Sequence, residues 1–259
     1  MRRPVLWAAL LLALLAPGLG RATAELGAFS CERPRPWEPG ALVNVSVAAS
    51  LIDGQSLAPG QVFSFNACMD QGLDRFVDGT SYEAGRKVTS NGGGICQVSS
   101  CLYNAVLLSG LEVLERANHS LYDPAEAYVP AGRDAMVTRQ GHSDFKFRNS
   151  TAAPLSIRAW AQGGKVSVQL LGRQRRPRRR WLETVLIRRD PMAVRSVEDG
   201  ALAPGERRRL REGFDGLKVE SRLCWSGPGG LTQCATLAVD EYQKVDERWA
   251  EGPAQGGKP

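Results

Sequence analysis

The chain has 259 residues, of which 43% are hydrophobic and 23% are charged, and its formal net charge is +6. This is the composition of a globular protein with one or two domains. The chain is long enough and apolar enough to bury a core, which argues against an intrinsically disordered protein. Much of the positive charge lies in the six arginines between residues 173 and 180. No aromatic residue stands among them to stack on bases. The sequence therefore argues against nucleic acid and favours a solvated basic linker or contact with an anionic wall polymer or lipid head groups.

Residues 1–24 have the pattern of a secretory signal peptide. Two arginines precede an apolar run from Val5 to Ala16, and Ala22-Thr23-Ala24 forms a small-x-small cleavage site. The run is shorter than the roughly 20 residues that a membrane span needs, so we expect cleavage and no transmembrane segment afterwards. Retention as an N-terminal anchor is the alternative. The sequence thus predicts an exported protein, secreted or associated with the cell wall, in a compartment where disulfides persist.

The next segments give weaker signals. Residues 25–41 are rich in Pro, Gly and charge, and are expected to form a lead-in with little regular structure. Three valines alternate with other residues at positions 42–49, which predicts a strand. A short strand is predicted at residues 62–65, and the Gly- and Asp-rich stretch 66–94 is expected to be irregular.

A helix is predicted directly after the triple glycine Gly92-Gly93-Gly94. Apolar residues recur at spacings of three and four from Ile95 to Val106, and Gly110 stands where a C-terminal cap is expected. Cys96 therefore lies in the first turn of this helix.

The elements after the helix are predicted to be strands. In chain order they cover residues 112–116, 135–138, 145–148, 155–160, 165–171, 184–188, 216–225 and 231–239. We assign residues 42–171 to a core domain, 172–180 to an arginine-rich linker, 181–249 to a small β-rich module and 250–259 to a disordered tail. One main helix packed on antiparallel strands, with this small module, gives the fold class α+β.

The six cysteines permit too many pairings for the sequence to decide between them. One pair follows from local structure. Cys224 and Cys234 flank a Ser-Gly-Pro-Gly-Gly turn between two predicted strands. A hairpin would place them opposite each other, so a disulfide is predicted here.

Cys96 has the surroundings of a nucleophile. The N–H groups and partial positive charge of a helix start stabilise a thiolate. The N–H groups of Gly93 and Gly94 and the amide of Gln97 are candidate donors to an oxyanion.

A cysteine nucleophile needs a base, and the chain has two histidines. His119, which follows the helix and its return segment, is preferred, and His142 in a polar loop is the alternative. Asp134 or Asp123 is expected to orient the imidazole.

These residues alone do not decide between a catalytic and a structural role for Cys96. In an exported protein it is equally well a disulfide partner, here of Cys68 or Cys101. Zinc binding by Cys96, Cys101 and His119 is not expected, because no Cys-x-x-Cys spacing supports it. No phosphate-binding loop is present, and no cofactor is predicted.

Six stretches of the chain carry a family pattern. They are Pro59–Asn66, Gly92–Ser99, Leu102–Ala105, His119–Ser120, Tyr128–Ala135 and Phe145–Asn149. In order and approximate spacing they resemble the VanW family over roughly residues 42–171.

The resemblance implies a surface or cell-wall location. For some VanW domains it implies L,D-transpeptidase activity, in which a cysteine forms direct cross-links between diaminopimelate residues of peptidoglycan. On that basis Cys96 is the nucleophile, His119 the base, and the Arg133-Asp134 pair orients the base or binds substrate. The chain departs from the family at Ser100-Cys101, where two threonines are common. Residues 181–249 resemble the G5-type modules that follow some VanW domains.

The sequence as a whole predicts an exported cell-wall protein of a family named for glycopeptide-resistance gene clusters. Its predicted activity is that of a cysteine acyl transferase of the L,D-transpeptidase type on peptidoglycan stem peptides. The alternative is a non-catalytic wall-binding or scaffolding protein whose cysteines are structural.

Overall fold

The structure, a computed structural model, describes residues 24–36, 38–83, 86–138, 142–173 and 179–254. The predicted signal peptide up to residue 23 lies outside the described residues. So do residues 174–178 of the predicted linker and residues 255–259 of the predicted tail.

Helices and strands are mixed along the described ranges, which confirms the α+β class. The helices are α1 (Pro39–Ile52), α2 (Phe65–Met69) and α3 (Cys96–Ser109). The strands are β1 (Ala24–Cys31), β2 (Ser56–Leu57), β3 (Val62–Ser64), β4 (Asp78–Glu83), β5 (Arg86–Asn91), β6 (Glu112–Glu115), β7 (Lys146–Arg148), β8 (Leu155–Gln162), β9 (Lys165–Gly172), β10 (Arg180–Asp190), β11 (Val194–Glu198), β12 (Arg207–Arg211), β13 (Gly216–Ser226), β14 (Thr232–Tyr242) and β15 (Glu247–Glu251). Within these ranges none of the helices is both long and apolar enough to cross a bilayer.

The strands of the described residues form five sheets. The largest has the order β1-β9-β8-β2, and three-stranded sheets have the orders β3-β7-β6, β10-β13-β14 and β11-β15-β12. A hairpin of β4 and β5 completes the set. Only β11 and β15 pair in parallel within this part of the chain. All the other pairs are antiparallel.

α3 confirms the predicted helix and forms the centre of the core. It starts at Cys96, and Gly110 ends it in the left-handed region at φ 63°, which glycine adopts without a Cβ clash. Val98, Leu102 and Val106 are fully buried. They lie on the helix that packs against β1 and β9 of the four-stranded sheet.

The predicted strand at residues 42–49 is wrong, because these residues belong to α1. The helix buries a face made by Ala41, Val45, Ala48 and Ile52. This face has helical spacing, whereas Val43 is exposed. Pro39 in the first turn favours a helix start, since no N–H is needed there. The valine alternation was therefore a misleading signal.

Three further expectations are wrong. The lead-in, residues 25–41, contributes β1, which pairs along β9 in the core sheet. Residues 66–94 contain most of α2, a 3₁₀ segment and the β4–β5 hairpin. None of the described residues 135–138 lies in a strand; Met136 forms only an isolated bridge with Ala117. For β1 the distant partner β9 decides the structure, and local sequence does not show it.

The predicted strands at residues 184–188, 216–225 and 231–239 are confirmed as parts of β10, β13 and β14. Cys224 and Cys234 are register partners on β13 and β14 and form the predicted disulfide. β15 extends to Glu251, two residues into the predicted tail.

Candidate active site

Cys96 lines a cavity beside the β4–β5 hairpin. The cavity has a volume of about 300 Å³ and is lined by residues 90–96, His119, Glu126 and Tyr128, among others. Cys96 is partly exposed, and its Sγ lies 3.5 Å from the Val137 carbonyl oxygen. The first residue of the central helix is thus accessible to a ligand.

The glycine turn before Cys96 is held by α1 and by the neighbouring hairpin. Asn44, fully buried on α1, donates from Nδ2 to the Gly93 carbonyl at 2.9 Å. A Cβ on Gly93 would lie 2.4 Å from the Gly79 carbonyl oxygen, so no larger residue fits. Gly94 has φ +104°, a conformation that favours glycine. The turn therefore depends on both glycines.

Two N–H groups at the helix start are candidate oxyanion donors. Neither the Gly94 nor the Cys96 backbone N–H has a hydrogen-bond partner among the described residues. This is the usual state of a helix first turn. The Gly93 N–H, in contrast, already donates to the Ser90 carbonyl at 3.1 Å.

His119 stands between Cys96 and Asp134. Its Nδ1 lies 2.5 Å from Asp134 Oδ2, its backbone N–H donates to the same oxygen at 2.7 Å, and its side chain lines the same cavity as Cys96. Burial alone lowers the pKa of His119, but the hydrogen bonds to Asp134 and Cys96 and their charges outweigh it and raise the pKa to about 10. At neutral pH the ring therefore carries a proton and a positive charge.

Asp134 is a buried carboxylate with hydrogen bonds to both oxygens. Oδ2 accepts from His119, while Oδ1 accepts from Arg116 Nη2 at 3.1 Å and from the Tyr242 hydroxyl at 2.5 Å. Burial raises its pKa, but the bonds and charge of His119 and the charge of Arg116 lower it to about 2. Asp134 is therefore ionised throughout the physiological range.

Three fully buried polar residues of α3 fix the segment that carries Asp134. Ser99 donates to the Ala135 carbonyl at 2.6 Å, and Ser100 accepts the Ala135 N–H at 2.8 Å. Asn104 donates to the carbonyl just before Asp134 at 2.8 Å. α3 thus carries Cys96 at its start and positions the carboxylate from its side. Sequence reasoning missed these residues, although polar side chains inside an apolar helix were the available signal.

Gln97 and Arg133 lie away from the Cys96 cavity. Gln97 is fully buried and donates from Nε2 to the Gly164 carbonyl at 2.9 Å. Arg133 donates to the Leu182 carbonyl at 3.4 Å, and its guanidinium lies 5.4 Å from the centre of the Phe29 ring. Their contacts are those of packing residues.

The alternative base His142 and the alternative carboxylate Asp123 lie outside the set of residues that line the Cys96 cavity. His142 is exposed and is not among the residues that line the cavity. Asp123 accepts the Ala125 N–H at 2.8 Å in a turn, whereas Asp134 bonds the ring of His119.

A charged pair that the sequence did not suggest also lines the cavity. The Arg33 guanidinium pairs with the Glu126 carboxylate, and the two side chains are 6% and 9% exposed. Arg35, on the exterior, contacts the same carboxylate at 3.4 Å. The cavity therefore offers one cation and one carboxylate near Cys96.

The remaining thiols are buried. Cys31, Cys68, Cys96 and Cys101 are not in disulfides, and only Cys96 of these four is not buried. Burial, followed by the charge of Asp144, raises the pKa of the Cys68 thiol to about 11. Burial, with contacts to Cys31, raises the pKa of Cys101 well above its usual value. Neither is suited to be a thiolate.

Potential metal ligands meet at one place among the described residues. Glu183, Cys224 and Cys234 lie close together, but both cysteines belong to the disulfide. Cys96, Cys101 and His119 form no such group within the same residues.

The fold and site define an α+β protein with a cysteine–histidine–aspartate chain at the start of a buried helix. Residues 41–171, half of the chain, match the family described as VanW like protein. The chain belongs to this family, and the resemblance seen in the sequence is confirmed.

Two proteins with similar sequences agree with this family assignment. The chain is 38% identical over 129 residues to the uncharacterized protein YoaR of Bacillus subtilis strain 168, covering 49% of this chain and 41% of that protein. It is 25% identical over 206 residues to the vancomycin B-type resistance protein VanW of Enterococcus faecalis strain ATCC 700802 / V583, covering 76% and 67%. The chain thus spans less than half the length of the first relative.

Solved structures similar to part of the chain include two G5 domains. The IgA1 protease G5 domain matches with a TM-score of 0.23 and 19% identity over 30% of this chain and 92% of its own. HP0197-G5 matches with a TM-score of 0.19 and 18% identity over 30% and 100%. The G5-type character of residues 181–249 stays a prediction.

Proposed function

We propose that this protein is an exported cell-wall enzyme that transfers acyl groups of peptidoglycan stem peptides through a thioester on Cys96, as an L,D-transpeptidase does. The observation that carries the proposal is the chain of contacts from Cys96 through His119 to Asp134, which opens into a cavity at a helix start. The signal-peptide pattern and the membership of a family with a vancomycin-resistance relative support the location and the substrate.

The reaction proceeds in two balanced steps. The Cys96 thiolate attacks the carbonyl carbon of a stem peptide, and the amide C–N bond breaks as the His119 imidazolium gives its proton to the leaving amine. An acceptor amine then attacks the thioester, loses a proton to His119 and releases the thiolate. Water in place of the amine gives carboxypeptidase activity. In this mechanism the N–H groups of Gly94 and Cys96 stabilise the oxyanion of each step.

The test is turnover of purified muropeptides by the wild type and by Cys96→Ala. We expect Cys96→Ala to lose at least about 10³-fold in rate, since no other group replaces the nucleophile. Cys68→Ala is the matched control, because its thiol is buried and has a raised pKa, and it should keep its activity. Turnover that survives Cys96→Ala contradicts the mechanism. Binding to sacculi without any turnover favours the scaffolding role.

The Arg33–Glu126 pair suits a donor peptide that carries both a carboxylate and an ammonium group near the reacting carbonyl. We expect Arg33→Gln to raise KM about tenfold with little change in kcat, because one charged contact to the substrate is lost. Arg35→Gln, which removes a side chain that is 54% exposed beside the same carboxylate, is the control. Equal KM values for the two variants would remove Arg33 from substrate binding.

A further inference from the structure

We propose that the C-terminal sheet β10-β13-β14 completes the catalytic unit, with Tyr242 as a positioning residue that holds Asp134 for His119. This inference rests on the proposed role of the Cys96–His119–Asp134 chain. It assigns to residues beyond the matched stretch 41–171 a part in the chemistry of the core.

Tyr242 connects the last strand of that sheet to the Asp134 carboxylate. Its hydroxyl donates to Asp134 Oδ1 at 2.5 Å and accepts the Gly132 backbone N–H at 2.6 Å. The side chain is 3% exposed, and its ring packs on Tyr122 with the ring centres 5.6 Å apart. The hydroxyl thus donates one hydrogen bond and accepts another, and both hold the loop that bears Asp134.

Arg116 makes a second connection to the same strand. Its Nη2 donates to Asp134 Oδ1 at 3.1 Å, its Nε donates to the Asp134 backbone carbonyl at 2.6 Å, and its Nη1 donates to Asp240 Oδ1 at 2.6 Å. All three side chains are less than a tenth exposed. Because the Arg116 guanidinium is planar and bonds both Asp134 and Asp240, it fixes the orientation of the Asp134 carboxylate.

The two oxygens of Asp134 therefore have separate tasks. Oδ2 receives both hydrogen bonds of His119, and Oδ1 receives the two bonds that lead to β14. Displacement of the sheet would free the carboxylate to rotate and would leave Oδ1 short of donors. The geometry of the imidazolium beside Cys96 thus depends on the docking of the second module.

Other contacts join the sheet to the same loop without touching Asp134. Ser221 donates to the Gly132 carbonyl at 2.7 Å, and Thr184 donates to the Ala131 carbonyl at 3.1 Å. Thr184→Val removes a hydrogen bond across this interface while it keeps the side-chain shape. It is the matched control for Tyr242→Phe.

The experiment compares Tyr242→Phe with Thr184→Val in the full chain. The rate of Cys96 alkylation by iodoacetamide is measured against pH, together with kcat and KM for muropeptides. Loss of this hydrogen bond lets the Asp134 carboxylate rotate away from His119, so the imidazolium is held less firmly beside Cys96. The acid limb of the alkylation profile, which reports formation of the thiolate, should then move upward by about half a pH unit or more. We expect kcat to fall about tenfold with KM unchanged. Thr184→Val should change neither.

An unchanged acid limb in Tyr242→Phe, or an equal shift in Thr184→Val, overturns the inference. Alkylation needs no peptidoglycan, so a shifted profile without muropeptide turnover would count against the proposed function and not against the positioning role. If Tyr242→Phe does not fold, Arg116→Lys decides the question. This substitution keeps the positive charge but removes the guanidinium that bonds Asp134 and Asp240 together. It must shift the acid limb in the same direction as Tyr242→Phe.

Discussion

Replacement of Asp134 by Asn is expected to lower the turnover of muropeptides by about 10⁴-fold, with little change in overall structure. In the wild type one oxygen of Asp134 accepts both the ring and the backbone N–H of His119. An amide carries no charge, so it stabilises the imidazolium poorly and favours the wrong ring tautomer. The pKa of His119, about 10 in the wild type, then falls towards its ordinary value. At neutral pH the ring loses its proton, and the thiolate loses its cationic neighbour.

The measurement is kcat/KM for muropeptides between about pH 5 and 9, a range that spans the ordinary pKa of histidine. Asp123→Asn is the control, because this carboxylate lies in a neighbouring turn and accepts the Ala125 N–H. Activity of Asp134→Asn within about tenfold of the wild type would show that His119 does not depend on this carboxylate.

Replacement of Arg116 by Leu is expected to reduce the free energy of unfolding by about 3–5 kcal/mol at neutral pH. The change leaves two buried carboxylates, Asp134 and Asp240, without their shared cation. Urea denaturation followed by circular dichroism measures the loss. Arg158→Leu, which removes an exposed partner of Asp53, should change stability by less than about 1 kcal/mol. Equal losses for the two variants would contradict the role of the buried network.

The pH dependence of the Arg116→Leu loss has a defined sign. In the wild type the pKa of Asp134 is lowered to about 2, so its contribution to stability is present above the ordinary carboxyl value of 3.8 and is lost as the pH falls through 2. Without Arg116 the folded-state pKa of both carboxyls rises. The destabilisation should therefore be largest near neutral pH and should shrink as the pH falls through about 4. A loss that grows on acidification would refute this account.

Features with local causes could be predicted from the sequence. The apolar spacing after Ile95 and the glycine at position 110 define α3, because helix period and C-cap are both set within a few residues. The Cys224–Cys234 disulfide followed from a turn between two strands. The alternating valines of α1 predict a strand, whereas half of its buried residues are alanines, which give a weak apolar signal.

The parts of the site that escaped prediction depend on contacts across long stretches of chain. Tyr242 reaches Asp134 over a sequence separation of 108 residues, and Arg116 reaches Asp240 over 124. No local pattern encodes such contacts. The position of Gln97 directly after the cysteine favours it as an oxyanion donor, but the helical rotation of about 100° per residue turns its side chain into the core.

The position of β1 in the core sheet has a consequence for how the chain folds. Ala28, near the start of the described residues, faces Gln169 on β9, so the first strand has no partner until nearly the whole core has left the ribosome. Sheets that join distant segments form slowly, since loop closure precedes any gain from pairing. Until then the edges of β1 and β8 stay unpaired and open to association with other chains. A factor that binds unfolded chains would therefore protect this sheet from association during its slowest step.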